Sequence, residues 1–280
     1  MIVTTGKIEE ISHLTPLGLR FWDALSGNLV EAGLTVTVHP LHDPSRRTIA
    51  ISNRSGIYLA QNLPGLSEIE YGETDTDFWS SVTKKPFVVQ VIDRQGRFQA
   101  FTFQIELPYQ GLFTDLCILV SSPLESSNHL GVPLYSAVTR TVPSGIAVIY
   151  AHLWDASNDE PASWAMVEAS FESQLLTRSY ADRQGRLALL FPYPEPLHSI
   201  SSPLDSPPVG NRPALVDQAW PIRLRSFYTP QHRSPEIPDL CQTLNQSPAT
   251  LLSTLSPALP LTDVTLHYGQ ELVVRSESQS

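Results

Sequence analysis

The chain has 280 residues, 41% of them apolar and only 16% charged, with 24 prolines and a formal net charge of −10. That length suggests two domains, each able to bury a core without metals or disulfides. The acidic balance excludes a nucleic-acid footprint, since no basic stripe is present to neutralise phosphates.

In chain order, Leu17–Trp22, Leu34–His39, Thr48–Ser52 and Ile57–Ala60 are short β-like runs separated by Gly, Pro, Asn and Asp. Phe87–Ile92 is apolar and β-branched, and Asp93-Arg94-Gln95-Gly96 follows it directly. Gly96 supplies the positive φ of a tight turn, so a hairpin is predicted with Phe101–Leu107 as its second arm. That arm alternates strictly, with Phe101, Phe103, Ile105 and Leu107 on one face and Thr102, Gln104 and Glu106 on the other. The period of two marks a half-buried strand. Six such strands predict a β-sandwich.

Residues 121–129, polar and proline-containing, are read as a linker. Ile146–Leu153, Trp164–Phe171, Leu187–Phe191 and Ile222–Tyr228 follow as strands of a second sandwich, interrupted by the Pro/Ser-rich loop His198–Pro213. A long loop without its own structure is commonly a contact arm. Ser234-Pro235 and Ser247-Pro248 place N-cap residues before prolines, predicting short helices over Pro235–Asn245 and Pro248–Leu255. Val264–Arg275 reads as a terminal hairpin turning at Gly269-Gln270. A lone hairpin is marginal in water, so it is expected to dock on the sandwiches or on a neighbour.

The two halves repeat. Phe21–Val36 (FWDALSGNLVEAGLTV) is echoed by Leu153–Val167, and Asn53–Gly65 by Asp182–Pro194, with Trp22 and Trp154 offset by 132 and Gly56 and Gly185 by 129. Drift of that size is what loop deletions leave between copies of a module. DRQGR also occurs twice, at 93–97 and 182–186, an offset of 89 that breaks the register; it is read as shared turn chemistry. Trp22 and Trp154, each followed by Asp and Ala, are read as strand-end core residues.

No sequence pattern supplies chemistry. G-x-S-x-G, H-E-x-x-H, P-loop and G-x-G-x-x-G motifs are absent, so no catalytic residue, cofactor or metal is expected. His39, His42 and Asp43 lack a Cys or Glu partner and are read as surface. Asp75 and Asp77 lack the glycine and distal glutamate of a calcium loop. Cys117 and Cys241 lie too far apart in sequence for a disulfide to be inferred, and two thiols in a reducing compartment are expected. MIVTTGKIEE lacks an apolar signal core, and no run approaches a membrane span, so the expected localisation is cytoplasmic.

Asp23, Gly27, Val30, the strand Leu34–Val38, then Asn53, Gly56, Tyr58 and Leu63-Pro64-Gly65 resemble the carboxypeptidase-regulatory (prealbumin-like) β-sandwich family, with Leu29 in place of a proline. The second copy keeps Asp182, Gly185 and Pro192 but loses the counterpart of Gly27 near Asn158-Asp159. That resemblance implies structural, folding or binding modules. The order FWDALSGNLVEAGLTV, NRSGIYLAQNLPGL, VIDRQGRFQAFTFQIELPYQG, ADRQGRLALLFPYPEP and TLHYGQELVVRS is similar to an accessory protein of phage-tail-like contractile injection systems. It implies a non-enzymatic piece of the particle, at the cap end rather than the baseplate, in several copies with cyclic symmetry.

The expected fold is therefore all-β, with two tandem Ig/prealbumin-like antiparallel sandwiches and a short helix-plus-hairpin tail. The boundaries are 1–120 for the first sandwich, 121–129 for the linker, 130–230 for the second and 231–280 for a docking tail. Expected partners are tube, sheath or cap subunits, met through Leu266, Tyr268, Leu272 and Val274 of the hairpin and Leu204 and Val209 of the loop. Alternatives are a baseplate accessory protein, or a carbohydrate- or protein-binding sandwich stacking ligands on Trp79, Trp164 or Trp220.

Overall fold

The structure, a computed structural model, describes residues 14–70, 81–117, 130–155, 157–195, 217–230, 236–250 and 262–275. The linker 121–129, the His198–Pro213 loop, Asp75, Asp77 and Trp79 lie outside these residues.

The first sandwich is built from β1 (Leu17–Asp23), β2 (Leu34–Pro40), β3 (Thr48–Ile49), β4 (Ile51–Ser52), β5 (Ile57–Ala60), a single helical turn α1 (Ser67–Glu70), β6 (Lys85–Asp93), β7 (Phe101–Leu107) and β8 (Val132–Leu134). Its sheets run β4-β5-β1-β8 and β3-β2-β6-β7. Alternation drives the packing: Phe101, Phe103, Ile105 and Leu107 of β7 and Phe87, Val89 and Val91 of β6 all point inward, against Phe21, Val36 and Val38. Each such side chain taken from water stabilises the fold by roughly 2 kcal/mol.

The second sandwich repeats the plan with β9 (Ile146–His152), β10 (Trp154–Asp155), β11 (Glu160–Pro161), β12 (Met166–Phe171), β13 (Gln174–Tyr180), β14 (Arg186–Pro192), β15 (Ala219–Phe227), α2 (Leu240–Leu244), β16 (Pro248–Ala249), β17 (Asp263–His267) and β18 (Leu272–Arg275). Its sheets run β14-β9-β18 and β13-β12-β15-β16, with β17 also on β15. The registers match the sequence repeat: Leu19 pairs with Tyr58 as Ala151 pairs with Leu187, offsets of 132 and 129. β1–β5 thus corresponds to β9–β14, and β2–β6 to β12–β15.

Four expectations change. Val132–Leu134, expected in the second unit, pairs parallel with β1 and completes the first sandwich. The terminal segments do not form a hairpin with each other: β17 pairs with β15 in one sheet, and β18 pairs parallel with β9 in the other. Each sandwich is therefore closed by one parallel strand. Of the helix expected over Pro235–Asn245, the described residues form only the five of α2, capped by Asp239, and Pro248-Ala249 is a strand instead of a helix start, Ser234, Pro235 and residues 251–255 lying outside the described residues. Finally, β13 carried no signal, because its turn from β12 uses Glu172 and Ser173 at φ 47° and 67° with no glycine or asparagine.

Candidate docking surfaces

The repeated motifs are turns, and their side chains serve backbone. Asp23 Oδ1 accepts from Leu25 N–H at 3.0 Å and Oδ2 from the Ser26 hydroxyl at 2.9 Å. Asp155, the next copy's counterpart, accepts from Ser157 N–H at 3.0 Å and Asn158 Nδ2 at 2.7 Å. Asn53 Oδ1 takes Ser55 and Ile57 N–H as Asp182 Oδ1 takes Gln184 and Arg186 N–H. DRQGR at 93–97 makes the same kind of turn between β6 and β7, whereas its twin at 182–186 joins β13 to β14. The likeness of these two strings is thus turn chemistry at non-equivalent places.

Buried charge is paired in these turns. Burial pushes the Asp23 carboxyl up, but the Arg140 guanidinium, Leu25 N–H and Ser26 hydroxyl outweigh it and hold the group below the ordinary carboxylate range. For Asp93, burial is likewise outweighed by the Arg97 side chain and by the Arg97 and Gln95 N–H groups. Arg97 and Arg140 both lie over the Phe98 ring, at 5.0 and 5.1 Å. They line a cleft of about 440 Å³ beside Asp23, but each is already neutralised by its carboxylate. The cleft therefore offers a ligand little net charge.

The expected docking residues lie mostly inside the second sandwich. Leu266 and Val274 are 1% and 4% exposed and belong to its core, because β17 and β18 are integral strands of its two sheets. That corrects their assignment as partner contacts. Leu272 is half-buried against the same core, and the Tyr268 ring packs against Tyr193 at 4.8 Å, tilted by 42°. Leu204 and Val209 lie outside the described residues. Of the aromatics considered as sugar platforms, Trp164 and Trp220 are buried and offer no open ring face. Trp22 is buried at the end of β1, donating its indole N–H to Gly131 O at 3.4 Å. Among the described residues, no three His, Cys, Asp or Glu are grouped to hold a metal, and His39 Nδ1 sits 2.9 Å from Pro40 O.

The two sandwiches meet through a packed junction. Tyr180 at the end of β13 is 1% exposed, belongs to the first sandwich's core cluster, and donates its hydroxyl to Ala100 O at 3.4 Å. Burial, then the neighbouring Tyr135, raises its phenol well above the usual range, so it stays a neutral donor. Trp164 and Met166 join the same cluster. Leu25, in the turn after β1, packs on Val148, Ala188 and Leu190 from the other side. Leu240 and Leu244 of α2 also fill the first core, while Thr102 N–H donates to Pro238 O at 2.8 Å. Gln246 then bridges back, donating to Trp164 O at 2.7 Å and accepting from Thr229 N–H at 2.8 Å.

A disulfide joins Cys117 to Cys241, pinning α2 to the segment that follows β7. The expectation of two thiols is corrected. Separation by 124 residues hid the pair from any reading of local spacing.

No family model matches the chain, and no curated protein is similar to it in sequence. Among solved structures, the Bacillus anthracis TIE protein is similar at 8% identity and a TM-score of 0.23, over 93% of this chain and 33% of that one. This chain spans about a third of that protein's length. The shaft pilin SpaA of Lactobacillus rhamnosus GG gives 10% identity and a TM-score of 0.22, over 94% and 97% of the two chains. A putative adhesin of Bacteroides ovatus gives 9% and 0.21 over the full length of both. The all-β assignment rests on the sheets and registers described above. No helix among the described residues is long and apolar enough to cross a membrane.

Proposed function

We propose that the chain is a non-enzymatic structural protein, a stiff pair of β-sandwiches that holds other proteins in place within a multi-protein assembly. The observation that carries this reading is the junction. Side chains from β12, β13 and α2 of the second half complete the core of the first. Domains joined only by a linker move relative to one another by default, whereas a large apolar junction suppresses that motion. The Cys117–Cys241 disulfide reinforces the same seam, and Gln246 fixes the end of α2 to Trp164 within the second half. Stiffness of this kind suits a spacer. In this division the first unit extends through β8, and the former tail belongs to the second unit.

The assembly we propose is a phage-tail-like contractile injection particle, with the chain toward its cap end and the baseplate as the alternative position. Support comes from the order of sequence strings running from FWDALSGNLVEAGLTV to TLHYGQELVVRS. Tube, sheath or cap subunits are the proposed partners, and the 198–213 loop, with Leu204 and Val209, is the proposed arm toward them. The Cys117–Cys241 disulfide supports a mature protein exposed to oxidising surroundings, since such bonds are rare in reducing cytosol. Synthesis in the cytoplasm followed by oxidation in a released particle accommodates both.

Affinity capture of the tagged full chain from native lysate, followed by mass spectrometry, tests the reading. Co-purification with tube, sheath or cap proteins is expected. A chain that elutes alone and retains none of them overturns the particle assignment.

A further inference from the structure

The repeat makes one face of the first sandwich legible as a docking surface. Adding 129, the offset that relates Asn53 to Asp182 and Gly56 to Gly185, turns Ile49, Ile51 and Leu59 into Arg178, Tyr180 and Ala188. In the second sandwich those three side chains are buried, Tyr180 and Ala188 against residues of the first. They form the corner where β13 hands over to β14, and that corner is seated on one end of a β-sandwich.

The equivalent corner of the first sandwich has no such cover. Ile49 and Ile51 are 63% and 73% exposed, the two most exposed large apolar side chains among the described residues. Ala50 between them points into the core, so both isoleucines stand outward as one ridge. The strand that carries them is the edge of both sheets, β3 ending one and β4 the other. Exposed Arg46, Arg47 and Arg54 bracket the ridge on a chain whose net charge is −10.

We propose that this corner receives a second copy of the same chain, seated through the loop end of its second sandwich. The internal junction supplies the template. There the turn after β1 places Leu25 against the second sandwich's corner. Its counterpart in the second sandwich is the turn after Trp154-Asp155, where Asp159 and Glu160 are exposed. Repeating the junction between copies brings those carboxylates to Arg46, Arg47 and Arg54 and covers Ile49 and Ile51. Pairing two corners directly is disfavoured, because an antiparallel match sets Arg47 of one copy against Arg54 of the other. The contact is thus heterologous, corner to loop end, and adds copies in a ring or stack.

This inference deepens the assembly reading and rests on it, but its test uses the purified full chain alone and so can fail separately from the capture experiment. Sedimentation velocity from micromolar to hundred-micromolar concentration at low salt is expected to show masses above the monomer, with weaker association at high salt. Ile51→Glu is expected to leave a monomer whose melting temperature is unchanged, since the side chain is exposed. Asp159→Lys/Glu160→Lys, which spoils the other half of the contact, is expected to leave a monomer too, with a slightly lower melting temperature because Asp159 Oδ1 accepts from Trp154 Nε1 at 3.2 Å. Mixing the two variants then gives a dimer and nothing larger, because each keeps one intact surface. A wild-type chain that stays monomeric throughout overturns the proposal. So does self-association that survives Ile51→Glu, or a mixture that forms no dimer. An Ile51→Glu variant that loses captured particle proteins, while the pure wild type is monomeric, gives the corner to another protein and also overturns it.

Discussion

Arg140 holds Asp23 with two parallel hydrogen bonds, Nη1 to Oδ1 at 2.8 Å and Nη2 to Oδ2 at 2.7 Å, across 117 residues of chain. The pair ties the turn after β1 to the segment after β8, and both side chains are nearly buried. Arg140→Met would leave the largely buried carboxylate without its counter-charge, held only by Leu25 N–H and the Ser26 hydroxyl. Breaking one partner of a buried pair costs about 3 kcal/mol, and the urea midpoint should fall accordingly. Asp23→Asn removes the charge and keeps the shape, so a smaller loss is expected.

The same pair sets an acid limb in stability. Asp23 and Asp93 both have carboxyls held below their ordinary value in the folded chain. A depressed folded value stabilises the fold at pH above the unfolded value, about 3.9, and that contribution is lost as pH falls through the folded value. Denaturant midpoints should therefore be level from pH 7 to about 5 as far as these groups are concerned, and drop below about 4. In Asp23→Asn the drop should be shallower. An equally steep acid limb in that variant would remove Asp23 from the account.

The disulfide makes a prediction with a direct chemical readout. Peptide mapping without reductant should recover Cys117 linked to Cys241. Closing a loop of that length restricts the unfolded chain, and removing it by Cys117→Ser with Cys241→Ser should cost about 3 kcal/mol. Because α2 is the element released, the loss should be accompanied by faster amide exchange at Leu240 and Leu244, which fill the first core.

How much of this was legible in the sequence depends on whether the signal was local. The β6–β7 hairpin was, because strict alternation and an Asp-x-x-Gly turn are short-range requirements. The repeat was legible for the same reason: Asp23, Asp155, Asn53 and Asp182 each bond backbone N–H groups a few residues ahead, so the turn dictates residue type. β8 was missed because three residues with a central proline carry no period, and its partner is more than a hundred residues away. Val264–Arg275 reads as a hairpin locally, yet each arm finds a better partner in a different sheet. The Ile49 and Ile51 ridge was also hidden, since three alternating residues cannot say which face is the core. The structure distinguishes the faces by burying Ala50 between the two isoleucines, and the burial of Arg178 and Tyr180 in the second copy shows what can cover the outer one.

Two glycines test the packing of backbone on backbone. A Cβ on Gly185 would lie 2.3 Å from Leu153 O, and one on Gly131 would lie 2.3 Å from Arg20 O. Their φ angles, +74° and +125°, also disfavour any L side chain. Gly185→Ala and Gly131→Ala should each cost more than the roughly 1 kcal/mol of placing an L side chain at positive φ, seen as a lower melting temperature. Gly145→Ala is the control, since its positive φ is retained but nothing lies within 4 Å of the new methyl. If Gly145→Ala proves as costly as the other two, backbone strain alone explains the effect and the close approach contributes nothing.

Truncation before Pro260 separates an integral tail from a dispensable one. It deletes β17, which pairs with β15 over Ala219–Arg223, and β18, which pairs with β9 over Ile149–His152. It also removes Leu266 and Val274 from the second core, each worth about 2 kcal/mol of burial. Losing an outer strand from both sheets at once should unfold the second sandwich, while β1 to β8 stay folded but less stable, since Met166 and Tyr180 no longer cover their core. Limited proteolysis should then leave a protected fragment that contains Leu17–Leu107, with cleavage spread through residues 146–228. A truncated chain that protects both halves equally would return the terminal segments to the role of a detachable arm.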